Sequence, residues 1–111
     1  MKIDILGTEY TITDKTKEED PYLEKCDGYC DKSVKKIVIS KKEDDCELAN
    51  FKWYRRKIMR HEIIHAFLFE SGLHENWHHD EYGHDETVVD WIAVQFPKLM
   101  EVFKVAGCLE N

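Results

Sequence analysis

One long segment without helix-breaking residues constrains the fold of this chain more than any other feature. No glycine or proline occurs from Glu47 to Ser71, and Gly72 stands where the end of a helix favours glycine. Within the segment, a set of residues recurs at steps of three and four, the spacing of one helical face: Tyr54, Ile58, His61, His65 and Leu68. The pattern predicts a helix about 36 Å long, enough to cross a small domain.

The predicted helix contains His61-Glu62-Ile63-Ile64-His65, which has the form HExxH. Residues four apart are neighbours on a helix, so the two histidines can offer imidazole nitrogens to one metal ion. Glu62 follows the first histidine, where its carboxylate can act as general base on a zinc-activated water. The form recurs at His74–His78, but that stretch is polar and has no apolar stripe. A chance match in a loop is therefore favoured for the second copy.

Two histidines alone make a weak zinc site, and Glu86 is the best candidate for a third ligand. Glu86 and Asp90 are one helical turn apart in a second segment with an apolar helical face. One carboxylate could bind the metal while the other accepts the free N–H of a ligating imidazole. The same spacing fits two solvated acids on an exposed helix, so it leaves both interpretations open.

Taken together, these residues resemble the gluzincin metallopeptidases, and the small size is similar to minimal phage- or prokaryote-type members such as the ImmA/IrrE-like group. The resemblance covers roughly residues 29 to 96. It implies a zincin-like fold, zinc bound by His61, His65 and Glu86, Glu62 as catalytic base, and Asp90 supporting the first histidine. It also implies hydrolysis of peptide bonds.

Two other zinc classes compete with this assignment. A metzincin would continue as HExxHxxGxxH, but Leu68 and Ser71 occupy its glycine and histidine positions. An SprT-like protein would take its third histidine from the following loop, where three are available: His78, His79 and His84. The same histidines and Tyr82 are also candidates to stabilise the oxyanion, and nothing in the sequence chooses among them.

Composition limits the partners. A chain of 111 residues predicts one domain, and its formal net charge of -7 argues against general nucleic-acid binding. No apolar stretch resembles a signal peptide or a membrane span, so a cytoplasmic location is expected. Under that expectation Cys26, Cys30, Cys46 and Cys108 are interpreted as reduced thiols. The oligomeric state stays open.

The order of elements predicts an α+β fold, with strands mainly in residues 1–46 and helices mainly in 47–111. Two hairpins, over 1–13 and 28–40, are expected to form a small antiparallel sheet with 36–40 at an edge. About three helices follow. The first is capped by Asp44 or Asp45, the second is capped by Asp85 and ends at Pro97, and the third covers 98–107.

The leading functional hypothesis is a zinc-dependent metallopeptidase whose peptide or protein substrate pairs with the edge strand. The alternative is a non-catalytic protein-binding module that keeps zinc for folding. A third hypothesis is that the chain binds no metal.

Overall fold

The computed structural model describes residues 1–41, 50–73 and 86–109, and it has an α+β architecture. Four strands come first: β1 (Lys2–Ile5), β2 (Thr8–Lys15), β3 (Gly28–Asp31) and β4 (Lys36–Ser40). A short 3₁₀ helix, Pro21–Glu24, lies between β2 and β3. Two long helices follow, α1 (Phe51–Ser71) and α2 (Glu86–Ala106).

Both predicted hairpins are confirmed. β1 and β2 pair antiparallel across a tight turn in which Gly7 has a φ of 91°, a conformation that glycine adopts without strain. β3 and β4 also pair antiparallel. The 3₁₀ helix between the two hairpins was not predicted.

The prediction of an antiparallel sheet with residues 36–40 at its edge is wrong. The sheet is mixed, with the order β1-β2-β4-β3, and β2 pairs parallel with β4. β4 is therefore an inner strand, and β1 and β3 are the edges. The physical reason is visible in β4, because Ile37, Val38 and Ile39 are all completely buried. Consecutive strand residues face opposite sides, so this strand has to be covered on both faces.

The predicted motif helix is present, but it begins later than expected. Its N-cap is Asn50, whose side-chain oxygen accepts a hydrogen bond from the Trp53 N–H at 3.0 Å, rather than Asp44 or Asp45. It ends as predicted at Gly72, which has a left-handed φ of 82°. The buried side of α1 lies on the sheet and contributes these apolar residues to the core: Ile58, Met59, Ile63, Ala66 and Phe67.

The two helices predicted around Pro97 are one continuous helix, α2, so the described chain has two long helices rather than three. Proline removes one backbone hydrogen bond from a helix interior, but burial on the same core of Leu99 and Ala106, beyond Pro97, favours continuation. α2 runs antiparallel to α1, since the Trp91 indole donates to the Ser71 hydroxyl at one end and Arg60 donates to the Cys108 carbonyl at the other. Within the described segments, neither helix combines the length and apolar character needed to cross a membrane.

Candidate metal centre

The two motif histidines meet on the surface of α1. Their Nε2 atoms are 3.1 Å apart, and their rings are 4.8 Å apart between centroids. Together with a Glu62 carboxylate oxygen, these nitrogens form a cluster whose atoms all lie within 4.8 Å of one another. The sequence prediction that His61, Glu62 and His65 come together is confirmed, and the cluster could hold a metal ion.

The separation of the imidazole nitrogens fits two ligands of a single ion. Two nitrogens that each lie about 2.0–2.1 Å from a tetrahedral zinc are roughly 3.3 Å apart. The observed 3.1 Å is close to that value. His61 is exposed and His65 is half-buried, so an ion can reach them from solvent, while Ile63 and Ala66 anchor the same turns in the core. The two side chains are therefore presented on a rigid support.

Glu62 differs from its histidine neighbours in being buried, with 6% of its surface exposed. Burial raises the pKa of its carboxyl to about 7, because the charged form is poorly solvated there. A bound divalent cation would act in the opposite direction and favour the ionised carboxylate. The protonation of this carboxyl is therefore expected to depend on whether a cation occupies the histidine pair.

Strand β3 lies directly against this part of α1, and Gly28 allows the close approach. A Cβ atom at Gly28 would stand 2.9 Å from Ile58 Cγ2, 3.0 Å from the Val38 carbonyl oxygen and 3.5 Å from Glu62 Oε2. Any larger residue would have to push the strand away from the helix. The Tyr54 hydroxyl donates a hydrogen bond to the Asp27 carboxylate and holds the residue before β3 against α1 as well.

The outer side of β3 offers backbone groups for pairing. Ser40 N–H donates to the Asp27 carbonyl at 2.9 Å, and antiparallel partners alternate between hydrogen-bonded and non-hydrogen-bonded pairs. The register pairs Gly28 with Ile39 and Cys30 with Ile37, so these are the non-hydrogen-bonded pairs. The N–H and C=O groups of Gly28 and Cys30 therefore point away from β4, toward the sheet edge beside the histidines.

Of the remaining predicted site residues, the structure describes the backbone positions of two. Glu86 and Asp90 lie one turn apart at the start of α2, as predicted, and their roles as third ligand and support stay predictions. The hydrogen bond from Trp91 to Ser71 brings this end of α2 beside the end of α1 that follows His65. The loop candidates lie outside the described residues: His78, His79, Tyr82 and His84.

A cleft of about 270 Å³ runs between β3 and α1 at the histidines, and we call it the metal cleft. The sequence reasoning did not assign several of its lining residues to the site: Tyr22, Cys26, Gly28, Tyr29, Cys30 and Phe69. Gly28 carried a usable signal, since glycine inside a strand often marks close backbone approach. A larger cavity, about 750 Å³, lies between β1 and α2, and none of the three cluster residues lines it.

None of the protein-family models, curated proteins or solved structures compared with this chain matches it. The functional argument consequently rests on the geometry of the site itself.

Proposed function

We infer that this protein is a metal-dependent peptidase that hydrolyses a peptide bond between α1 and the edge strand β3. The observation that carries this inference is the cluster of His61, Glu62 and His65, whose ligand atoms lie within 4.8 Å of one another, on a helix that packs against the sheet beside the edge strand β3. A histidine pair that could hold a metal, a buried carboxyl and strand groups that face away from β4 are the three parts that such a reaction needs in one place.

Zinc is the metal that this donor set fits best, since two imidazoles and a carboxylate are a common zinc ligand set. His61 and His65 would hold it, with Glu86 as the third ligand and Asp90 orienting His61. This assignment is similar to the gluzincin arrangement. When bound, zinc would supply a Lewis acid that activates water and polarises the scissile carbonyl.

Glu62 is the proton carrier in this proposal. Its carboxylate lies beside the two histidines, so it can take a proton from the attacking water and pass it to the leaving amine. The buried position removes competing solvent from that carboxyl. A general base of this kind typically contributes about a hundredfold to ten-thousandfold in rate.

The substrate would bind to β3 rather than to the strand expected from sequence. An extended peptide can form backbone hydrogen bonds with the outward groups of Gly28 and Cys30. Such pairing lays its backbone along the metal cleft, next to His61 and His65.

Glu62→Gln tests the peptidase proposal. We expect zinc content and melting temperature to stay close to those of the wild type, because the two histidines are unchanged. Hydrolysis of quenched-fluorescent peptides should fall at least about a hundredfold. Turnover that is unchanged in this variant, or a wild type that cleaves nothing when loaded with zinc, would refute the proposal.

The ligand assignment has its own test. Glu86→Ala should lower zinc affinity strongly in a competition titration with a chromogenic chelator, and Glu101→Ala, an exposed acid later on α2, serves as the matched control. If His78→Ala or His79→Ala removes the metal while Glu86→Ala does not, the SprT-like ligand set is correct instead.

A further inference from the structure

A second cavity adjoins the metal cleft along β3. It has a volume of about 550 Å³, is bordered by Asp31 and Lys32, and shares four lining residues with the metal cleft: Tyr22, Tyr29, Cys30 and Phe69. We call it the aromatic cavity. Because of the shared walls, an extended chain that lies at the histidines continues directly into it.

Three aromatic rings define the walls of the aromatic cavity. Tyr22 and Tyr29 contact edge to face, with centroids 4.9 Å apart, and the Tyr29 hydroxyl is held by the Asp20 carboxylate. Phe69 stacks on His65 at 6.2 Å, so one wall of the cavity is continuous with the histidine pair. Aromatic rings in these relative positions favour another aromatic or large apolar side chain, by offset or edge-to-face contact.

The two charged residues at the rim of the aromatic cavity have opposite charges. Lys32 places its ammonium 5.2 Å from the centre of the Phe69 ring, while Asp31 brings a carboxylate to the same border. Because the two rim charges are opposite, the rim offers no net charge to select an ion, and the rings on the walls favour an aromatic side chain by ring contact. The occupant that fits is a neutral aromatic side chain.

The direction of the substrate follows from how β3 lies on α1. The beginning of β3 is at Ile58 and Glu62, since the Cβ position of Gly28 approaches both. The chain just after β3 is at Phe69, since Lys32 lies over that ring. β3 therefore advances in the same direction as α1. We take the peptide to pair antiparallel with β3, because an antiparallel ladder is the more stable one per residue, and the peptide then runs in the opposite direction.

In that orientation the amino-terminal part of the peptide lies by Lys32 and Phe69, and its carboxyl-terminal part lies by Gly28. The carboxyl-terminal side meets a different cavity, of about 260 Å³, whose wall includes Asp27, Tyr54 and Lys57. The two sides of the scissile bond thus meet different surfaces: each has an aspartate and a lysine, but among the described residues the first has three aromatic rings and the second has only Tyr54.

We propose that Tyr22, Tyr29 and Phe69 form a specificity pocket for an aromatic side chain on the amino-terminal side of the cleaved bond. This assignment rests on the proposed function, because that proposal places the cleaved peptide bond at the histidines. The pocket itself is a property of the surface and can be measured without turnover.

The test uses one randomised, end-blocked peptide library in two ways. The zinc-loaded wild type is incubated with it, and the cut positions are read by mass spectrometry. Immobilised, zinc-loaded Glu62→Gln is offered the same library, and the retained peptides are sequenced. Both experiments are repeated with Tyr22→Ala added, a change at a side chain that is 56% exposed and outside the core. Trp53→Ala removes another exposed aromatic side chain, 37% exposed, and serves as the matched control.

We expect Phe, Tyr and Trp to be enriched on the amino-terminal side of the cut and among the retained peptides. Tyr22→Ala should reduce the enrichment by about tenfold, the loss of one aromatic contact, and Trp53→Ala should leave it unchanged.

If nothing is cut but aromatic peptides are retained and Tyr22→Ala abolishes their retention, the pocket stands and the peptidase proposal fails. Cleavage without aromatic preference, or with that preference on the carboxyl-terminal side, overturns the pocket and leaves the peptidase. A library that is neither cut nor selectively retained overturns both.

Discussion

At the scale of single residues, the candidate site depends on one glycine as much as on the two histidines. Gly28 brings the backbone of β3 within reach of Glu62, and the space for a Cβ atom is filled by Ile58 and the Val38 carbonyl. The candidate site is therefore a narrow contact between a helix and a strand. Any change that separates the two also separates the outward backbone groups of β3 from the histidines.

Gly28→Ala should destabilise the protein by about 1–3 kcal/mol, the usual range for forcing an extra methyl group into a packed site. Urea denaturation followed by circular dichroism measures this free energy of unfolding. In an Ile58→Ala background the cost should be smaller, because the closest clash, at 2.9 Å, involves Ile58 Cγ2. Equal costs in both backgrounds would show that β3 does not lie against Ile58 as described.

At the scale of elements, Glu70 joins α1 to the sheet. Its carboxylate accepts hydrogen bonds from Thr8 at 3.2 Å and Tyr10 at 2.8 Å on β2, and from Lys35 at 2.6 Å before β4. The Lys35 hydrogen bond is the main cause that lowers the pKa of Glu70 below its ordinary value. A depressed carboxyl pKa stabilises the folded state above the unfolded-state pKa, and this contribution disappears as the pH falls through the folded-state pKa.

The free energy of unfolding, measured as a function of pH, should therefore reveal the contribution of the Glu70 charge. The wild type should exceed Glu70→Gln in free energy of unfolding near neutral pH, and the difference should shrink as the pH falls below about 4. Urea denaturation over a pH series gives both values. Glu9→Gln is the control, since Glu9 forms only an exposed pair with Lys2 at 3.7 Å and should change stability little. A difference that is the same at every pH would contradict the role of the Glu70 charge.

The continuity of α2 makes a second prediction at this scale. Pro97→Ala restores a backbone donor inside the helix, and an interior proline costs about 3 kcal/mol relative to alanine. Part of this gain is offset because alanine also gives the unfolded chain about 0.4–1 kcal/mol more conformational freedom. We expect a net gain of about 2–2.6 kcal/mol in the free energy of unfolding. A loss of stability would mean that the packing of Leu99 and Phe103 requires the proline.

The elements also show which features a single sequence can predict. Both hairpins and the end of α1 follow from local signals, such as the turn at Gly7 and the left-handed Gly72. The parallel pairing of β2 with β4 joins residues about 25 positions apart in the chain, as in Thr11 with Lys36, and no local pattern specifies it. The apolar run Ile37-Val38-Ile39 in β4 is the one local signal for this pairing, because consecutive apolar residues are typical of a strand that is buried on both faces.

The candidate site likewise has some residues that local spacing predicts and others that it does not. The histidines and Glu62 share one helix, so their spacing alone predicts that they meet. Tyr22, Tyr29 and Phe69 come from three elements that only the tertiary fold brings together, so no spacing rule could identify them. The position of Gly28 inside a strand was the one local sign of a helix lying close to β3.

At the scale of the whole molecule, the hydrophobic core that holds the fold does not include the two histidines of the candidate metal centre. The core is made of apolar side chains from the sheet and both helices, and His61 and His65 are not among them. In zinc fingers, by contrast, the metal replaces a core that is too small, and the protein unfolds without it. The core of this chain connects β1, β2, β4 and the helices without using the histidines.

Removing the metal should therefore lower the melting temperature without unfolding the protein. At free zinc about 100 times above its dissociation constant, binding adds about 2.7 kcal/mol to the folded state. For a chain of this size that corresponds to a rise of roughly 10 °C or more in melting temperature.

Far-UV circular dichroism with zinc, and then with excess chelator, should show the same helix content at room temperature and a lower melting temperature after chelation. A variant with both His61→Ala and His65→Ala should melt at the same temperature under the two conditions. Loss of helix content in the wild type on chelation would show instead that zinc is needed to build the fold, and it would favour a zinc-stabilised binding module over a peptidase.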